Sequence, residues 1–305
     1  ADVWTSLKKV EWRESHFDSV DLTLRVHLYP YFGDMTVAEI KKSDILQFRA
    51  KIAMLPGKKG GTLSPSRINH IMTPLRMILE DAADEFDFVC PYRKIKSLKV
   101  PKSDVEPFTL SEVKLLIESI RKDYRPYLEV RIFSALRTSE IDGLPWKNID
   151  FENRLILIRQ ALVKGKIVYT KNDGSFRDIE MSTPVFNALK QQHEITHGLS
   201  EFVFCTKQGN QINHNNFRNR VWNPMLNHLK LKRRTPYQTR HTAATLWLAA
   251  GENPEWIARQ MGHTTTEMLF RVYSRFIPNL TRKDGSAFEN MIKANLNSDK
   301  NGSEQ

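Results

Sequence analysis

Apolar residues recur along much of the chain at spacings of three and four, the period of an amphipathic helix. One such stripe runs from residue 16 to 31, and another follows Ser64-Pro65, a pair that favours a helix start. Six further helical segments are expected at residues 127–136, 184–193, 214–229, 239–250, 253–262 and 265–276. These patterns predict a mainly α protein.

A short β region interrupts the helical pattern. Residues 155–158, 167–169 and 176–181 are rich in β-branched and aromatic residues. Asn172-Asp173-Gly174 is typical of a hairpin turn. We therefore expect a small antiparallel β-sheet, with Lys171 at the tip of a hairpin.

The chain divides near residue 104. Residues 91–107 are rich in Lys and Pro, with little periodicity, and Thr109-Leu110-Ser111-Glu112 then forms a capping-box sequence. The predicted organisation is a helical domain with its linker at 1–104, an α+β domain at 105–282 and a C-terminal tail at 283–305.

The composition is that of a folded protein with an excess of positive charge. Of 305 residues, 46 are Lys or Arg and 35 are Asp or Glu, which gives a formal net charge of +11. No apolar run approaches the ~18 residues that a membrane span requires. Two cysteines exclude a disulfide scaffold, and no metal-ligand motif is visible. We expect a cytoplasmic protein whose basic surface favours nucleic acid or an acidic membrane face.

Four polar residues lie near predicted helix ends. Arg137 is expected at a junction between two helices, Arg240 at the start of a helix, and His263 after Gly262 in a loop, while Tyr273 follows ten positions later on the last helix. Each has an ordinary structural explanation: an arginine can cap carbonyls or pair with a carboxylate, and a helical tyrosine often packs in a core.

Taken together, these residues carry a resemblance. Ala135-Leu136-Arg137-Thr138-Ser139-Glu140-Ile141 resembles the first-arginine motif of the tyrosine recombinases, the phage integrase family. Tyr237-Gln238-Thr239-Arg240-His241 is similar to the second-arginine motif of that family. Met261-Gly262-His263 and Tyr273-Ser274 resemble its histidine and nucleophile motifs. The order and spacing of the motifs fit over residues 107–280.

The resemblance also implies a fold. Residues 16–95 are similar, more loosely, to the helical core-binding domain of the family. The fold class expected is mainly α with a small antiparallel β-sheet: a helical N-terminal core-binding domain followed by an α+β tyrosine-recombinase catalytic domain.

The family's roles transfer to matching positions. The resemblance implies that Tyr273 attacks a DNA phosphorus and forms a 3′-phosphotyrosine. Arg137 and Arg240 would hold the non-bridging oxygens, and His263 would hydrogen-bond to the same phosphate. Lys171 would protonate the 5′-hydroxyl leaving group.

These residue types suit that chemistry. Two guanidiniums offer permanently charged, bidentate donors to a phosphate that gains negative charge during attack. Covalent capture on tyrosine retains the phosphodiester energy, so strand rejoining needs no ATP. We expect no metal and no cofactor.

The chain departs from the family pattern at three points. Tyr237 replaces the usual histidine, and since a phenol is a poor base near neutral pH, a supporting hydrogen bond to the phosphate is expected of it. Ala135 replaces a usual glycine. Lys164 or Lys166, on the preceding turn, could substitute for Lys171.

Glu140 allows two interpretations. Its carboxylate could support one of the arginines, or it could only favour the N-terminus of its helix.

Both domains are expected to contact the DNA backbone, as a clamp around the duplex. The candidate residues are Lys58, Lys59, Arg67, Arg76, Lys96, Lys99, Lys232, Arg233 and Arg234.

The function implied by the resemblance is site-specific DNA recombination or integration on behalf of a phage or genomic island. The expected partners are double-stranded DNA, a homotetramer on paired sites and DNA-bending accessory proteins, in a nucleoid-associated cytoplasmic location, with the tail docking on a neighbouring protomer. Two alternatives stay open: strand relaxation like that of a type IB topoisomerase, and a non-catalytic helix-turn-helix regulator built on residues 239–262.

Overall fold

A computed structural model describes residues 1–57, 60–101, 105–169 and 176–273. Contacts divide the chain into two compact units, Ala1–Ser103 and Asp104–Gln305. In the described part, helices dominate both units and the strands are short and antiparallel. The predicted fold class is confirmed.

The first unit is helical. Its helices are α1 (Asp2–Lys9), α2 (Glu14–Thr23), α3 (Tyr29–Phe32), α4 (Lys42–Ala53) and α5 (Pro65–Glu85). A wider helical turn over Leu24–Leu28 joins α2 to α3 without a break. The apolar stripes meet in one core that includes Leu24, Phe48 and Leu79.

The second unit begins with three helices and a β region. These are α6 (Leu110–Ser119), α7 (Arg125–Ser134), α8 (Thr138–Asp142), β1 (Ile149–Asp150), β2 (Leu155–Ile158), β3 (Gln160–Val163), β4 (Lys166–Tyr169) and β5 (Arg177–Glu180). The capping box at Thr109 and Glu112 is formed as the sequence predicts.

Six helices follow in the described part of the second unit. They are α9 (Thr183–Thr196), α10 (His214–Phe217), α11 (Asn223–His228), α12 (Gln238–Ala250), α13 (Pro254–Met261) and α14 (Glu267–Tyr273). One core includes Tyr127, Phe204 and Trp222. A smaller apolar cluster on α12, α13 and α14 includes Leu248 and Tyr273.

The predicted hairpin around residues 172–174 is wrong in its strand pairing. Strand β4 pairs with β3, whereas β5 pairs with β2 in a separate sheet with β1. The tight turn is at Lys164-Gly165, with φ of 50° and 79°, as the two-residue turns favoured in hairpins require. The segment 170–175, including Lys171, lies outside the described residues.

Within the described ranges, no helix is both long and apolar enough to cross a membrane.

Candidate active site

The site is built around Arg137, which lies between α7 and α8. Ala135 ends α7 in a left-handed conformation with φ of 53°, a conformation that glycine adopts most easily. This turn directs Arg137 towards the start of α8. Its Nη1 donates to Glu140 Oε1 at 2.7 Å, and its Nη2 donates to the Gly262 carbonyl at 2.9 Å.

Arg240 reaches the same region from the first turn of α12. Arg240 is 2% exposed, and its guanidinium donates to the carbonyls of Ala135 and Met261, each at 2.5 Å. Burial, together with the neighbouring positive charge of Arg137, lowers the pKa of Arg240 to about 10. The side chain therefore stays charged at neutral pH.

Three arginines donate hydrogen bonds to the C-terminus of α13. Three consecutive carbonyls accept one hydrogen bond each: Gln260 from Arg177 at 2.9 Å, Met261 from Arg240 and Gly262 from Arg137. The last carbonyls of a helix carry partial negative charge. Gly262 ends α13 with φ of 67°, so the chain turns while these carbonyls stay available.

His263 follows directly after this turn. Its Nε2 lies 3.3 Å from Nη2 of Arg240. Burial, followed by the charges of Arg240 and Arg137, lowers the pKa of His263 to about 4. A neutral imidazole therefore stands beside the two guanidiniums.

Glu140 is the negative centre of the cluster. Both of its oxygens accept hydrogen bonds from the fork of Arg177, at 2.9 Å each, in addition to the bond from Arg137. Burial alone would raise the pKa of this carboxyl, but the hydrogen bonds and charge of Arg177 outweigh it and lower the pKa to about 2. Glu140 also accepts from the backbone N–H of Arg137 at 2.8 Å, so it supports the arginines and caps the N-terminus of α8 as well.

Sequence reasoning missed Arg177. It lies on β5, where Arg177 and Ile179 share the inward face while Asp178 and Glu180 are exposed. The alternation along this strand places Arg177 on the same inward face as Ile179. That pattern could have revealed its role, because a charge that points inward requires a partner.

Tyr273 lies at the end of α14, and its side chain is 2% exposed. Its hydroxyl is 2.6 Å from Nδ1 of His241, and its ring packs in the apolar cluster that includes Ala244 and Leu269. Burial raises the pKa of the Tyr273 phenol, and the charge of Arg240 offsets part of that rise.

Tyr237 precedes α12 and is 42% exposed. Its ring meets the ring of His241 edge to face, with the centroids 5.2 Å apart. The guanidiniums of Arg137 and Arg240 thus meet at the turn that ends α13, next to His263. Tyr237 and Tyr273 both contact His241, the residue after Arg240 on α12.

The candidate DNA-contacting residues have different environments. Lys58 and Lys59 lie outside the described residues. The exposed ones are Arg67, Arg76, Lys96, Lys99, Lys232 and Arg233.

Arg234 differs from that group. Its guanidinium forms two hydrogen bonds with Glu112, at 3.0 and 2.8 Å, and lies over the Phe108 ring at 4.4 Å. It is engaged within the fold, so we leave it out of the proposed DNA contacts.

Known structures share this architecture. The Tn1549 transposon integrase in complex with a circular intermediate DNA superposes with a TM-score of 0.74 at 20% identity, covering 89% of this chain and 93% of that one. A lambda integrase dimer bound to a COC′ core site gives a TM-score of 0.67 at 12% identity, covering 91% and 94%. The fold is therefore that of DNA integrases.

Sequence comparison identifies the family to which the chain is similar. Residues 106–277 match the phage integrase family. The prophage integrase IntR of Escherichia coli strain K12 is 26% identical over 92% of this chain and 76% of the relative. The ICEBs1 integrase of Bacillus subtilis strain 168 is 22% identical over 93% and 80%.

The chain belongs to the phage integrase family. It is a DNA-binding tyrosine recombinase that acts in site-specific recombination of phage or other mobile elements. The topoisomerase and regulator alternatives are not favoured.

Proposed function

We propose that this recombinase cleaves DNA at a single phosphodiester held by Arg137 and Arg240, with Tyr273 as the nucleophile. The observation that carries the proposal is the placement of both guanidiniums on adjacent carbonyls of one turn, Met261 and Gly262. Two arginines fixed by backbone contacts form a preorganised site for a phosphate.

Arg137 has donors left for the phosphate. Hydrogen bonds to described residues occupy two of the five guanidinium N–H groups of Arg137. The remaining N–H groups bind the non-bridging oxygens, which gain negative charge as Tyr273 attacks. Neutral His263 adds a hydrogen bond to the same phosphate. The exposed phenol of Tyr237 supplies a further hydrogen bond to that phosphate.

The proposed step conserves the phosphodiester. The Tyr273 oxygen forms a bond to phosphorus while the bond to the 5′-oxygen breaks, leaving a 3′-phosphotyrosine. Lys171 is the proposed donor of a proton to the 5′-oxygen. The alternatives are Lys164 on the β3–β4 turn and Lys166 at the start of β4. The reverse step, with a different 5′-hydroxyl, exchanges strands without ATP.

The experiment is covalent capture. Duplexes of randomised sequence are enriched by binding to the Tyr273→Phe variant in a native gel, then remade with a nick near the bound centre. The wild-type protein is expected to give a labelled adduct in a denaturing gel, and Tyr273→Phe to give none while still binding. An adduct that persists in the variant overturns the proposal, as does its absence from wild-type protein that binds the DNA.

At a larger scale, the proposed organisation is a core-site-binding unit at 1–104, a catalytic domain at 105–282 and a tail at 283–305. We propose that the two domains clamp the duplex and that four protomers assemble on paired sites, assisted by DNA-bending accessory proteins. The place of action is the nucleoid in the cytoplasm.

The tail supplies a specific prediction. Phe288, Met291 and Ile292 lie close together in the sequence of a mostly polar segment, and we propose that they dock on a neighbouring protomer. Deleting residues 283–305 should therefore weaken assembly on DNA, measured as the size of the protein–DNA complex in sedimentation. Unchanged assembly would refute tail docking and leave the cleavage proposal intact.

A further inference from the structure

One contact at the site has no role in the scheme above. The Tyr273 hydroxyl is 2.6 Å from Nδ1 of His241, the residue that follows Arg240 on α12. Because α12 is a regular helix, consecutive side chains point in different directions. Arg240 turns to the carbonyls of Ala135 and Met261, while His241 turns to the tyrosine.

The phenol needs a proton acceptor. Burial raises the pKa of Tyr273 above its ordinary value near 10, so its hydroxyl is protonated at neutral pH. A phenol that attacks phosphorus must lose this proton, and a positioned base within about 2.6–3.2 Å is the geometry that general-base catalysis requires.

We propose that His241 is a further catalytic residue, the general base that accepts the proton of Tyr273 during attack. This inference rests on the proposed role of Tyr273 as the nucleophile. The O–H bond breaks, the proton moves to Nδ1 of His241, and the freed electron pair of the oxygen forms the bond to phosphorus. The bond to the 5′-oxygen breaks, and that oxygen takes a proton from the lysine. During rejoining, His241 returns its proton to Tyr273.

The electrostatics of α12 suit this role. Burial and the charge of Arg240 lower the pKa of His241 to about 4, so the ring is neutral at physiological pH and its lone pair is available. An anionic phosphate bound beside Arg240 offsets that positive charge, so His241 becomes a stronger acceptor when DNA is present. The other titratable groups close to His241 are Tyr237 and His263.

Tyr237 is less suited to accept the proton. Its side chain is a phenol, whose oxygen is a much weaker proton acceptor than an imidazole nitrogen. It contacts the ring of His241 edge to face from the N-cap position of α12, four residues earlier in the chain. Tyr237 therefore packs against the base.

The first test separates a base from a hydrogen-bonding partner. In His241→Asn, the side-chain oxygen takes the position of Nδ1 and can accept the hydrogen bond, but an amide cannot take up the proton. Single-turnover formation of the covalent adduct should fall about 10²-fold or more, with DNA affinity and melting temperature near those of wild type. The control is His228→Ala, an exposed position at the end of α11, which should cleave at the wild-type rate.

The second test uses the acidity of the nucleophile. A fluorinated tyrosine at position 273 has a phenol that ionises near neutral pH. Its attack on phosphorus therefore depends less on a general base. It should recover most of the rate lost in His241→Asn, which a purely structural role of His241 would not allow.

The outcomes distinguish the two proposals. His241→Asn cleaving as fast as wild type, or faster, overturns the base assignment and makes the contact a latch that stores the nucleophile. A defect that fluorotyrosine leaves undiminished also overturns it. Either result leaves the role of Tyr273 standing as long as Tyr273→Phe forms no adduct. An adduct in Tyr273→Phe would refute the nucleophile itself.

Discussion

Arg240 combines burial, permanent charge and backbone contacts, and lysine cannot reproduce that combination. A lysine has one charged nitrogen on a flexible stem, whereas the guanidinium of Arg240 contacts Ala135 and Met261 with separate nitrogens. We predict that Arg240→Lys lowers the single-turnover cleavage rate by about 10²–10³-fold, the effect of losing one preorganised donor. Quench-flow measurement on the nicked duplex tests this.

The matched control for that variant is Arg220→Lys, at an exposed position between α10 and α11. It changes the same residue types away from the site and should leave the rate unchanged. Equal rates for Arg240→Lys and wild type would show that Arg240 only holds the fold together.

Glu140 supplies a prediction on stability. Its side chain is 3% exposed and is shared by Arg177, which is 7% exposed, and Arg137. Glu140→Gln removes the carboxylate from two arginines, one of them buried, and breaking a buried ion pair costs about 3–5 kcal/mol. Urea unfolding at neutral pH measures this loss.

The same carboxyl gives the loss a pH dependence. Its pKa is lowered from 4.5 to about 2 in the folded state. The stability that Glu140 contributes is therefore fully present above pH 4.5 and is lost as the pH falls from 4.5 towards 2. The difference in free energy of unfolding between wild type and Glu140→Gln should shrink over that interval. A difference independent of pH would contradict the ion-pair account.

The positions of the site residues at helix ends could be predicted from the sequence, whereas the position of the site residue on the sheet could not. Arg137, Arg240 and His263 lie next to helix boundaries, which local capping signals reveal. Arg177 meets Glu140 across 37 positions of sequence. That contact depends on which strands pair, and no local pattern contains this information.

At the scale of elements, the turn after α13 controls the geometry of the cations. Gly262 has φ of 67°, where a side chain costs about 1–2 kcal/mol. Gly262→Ala should lower stability by about that amount and also slow cleavage, because Met261 and Gly262 present the carbonyls that hold the two arginines.

Gly251 is the matched control for this prediction. It ends α12 in the same left-handed conformation, with φ of 87°, but none of its described contacts involves the site arginines. Gly251→Ala should cost similar stability and leave the cleavage rate unchanged. Equal cleavage by the two variants at the same melting temperature would contradict the role of the turn.

The elements themselves were predictable to different degrees. Helices α12 and α13 begin and end close to the positions expected from Asn253-Pro254, Gly251 and Gly262. The β region was misjudged because Asn172-Asp173-Gly174 suggested a hairpin between its flanking strands. Lys164-Gly165 forms the tight turn instead, and β5 crosses back to β2.

At the scale of the whole molecule, the net charge of +11 favours contacts between basic side chains and the phosphates of DNA, and we expect these contacts to dominate the affinity. We predict that alanine at both Lys96 and Lys99 weakens binding equally across DNA sequences. The slope of log affinity against log salt should fall by about 1 for each lost contact. Fluorescence anisotropy over a salt series tests this.

Lys114→Ala is the control, since Lys114 is an exposed lysine on α6 whose described partner is Glu118 at 4.0 Å. Its slope should equal that of wild type. An unchanged slope for the Lys96 and Lys99 variant would remove both residues from the DNA interface.

The most direct measurement is the position of the covalent bond. Trypsin releases residues 272–275, Val-Tyr-Ser-Arg, and residues 235–240, Thr-Pro-Tyr-Gln-Thr-Arg, as separate peptides. Mass spectrometry of the digested DNA adduct should find the nucleotide on Tyr273 in the first peptide. A nucleotide on the second peptide, or on any other part of the chain, would contradict the assignment of the nucleophile.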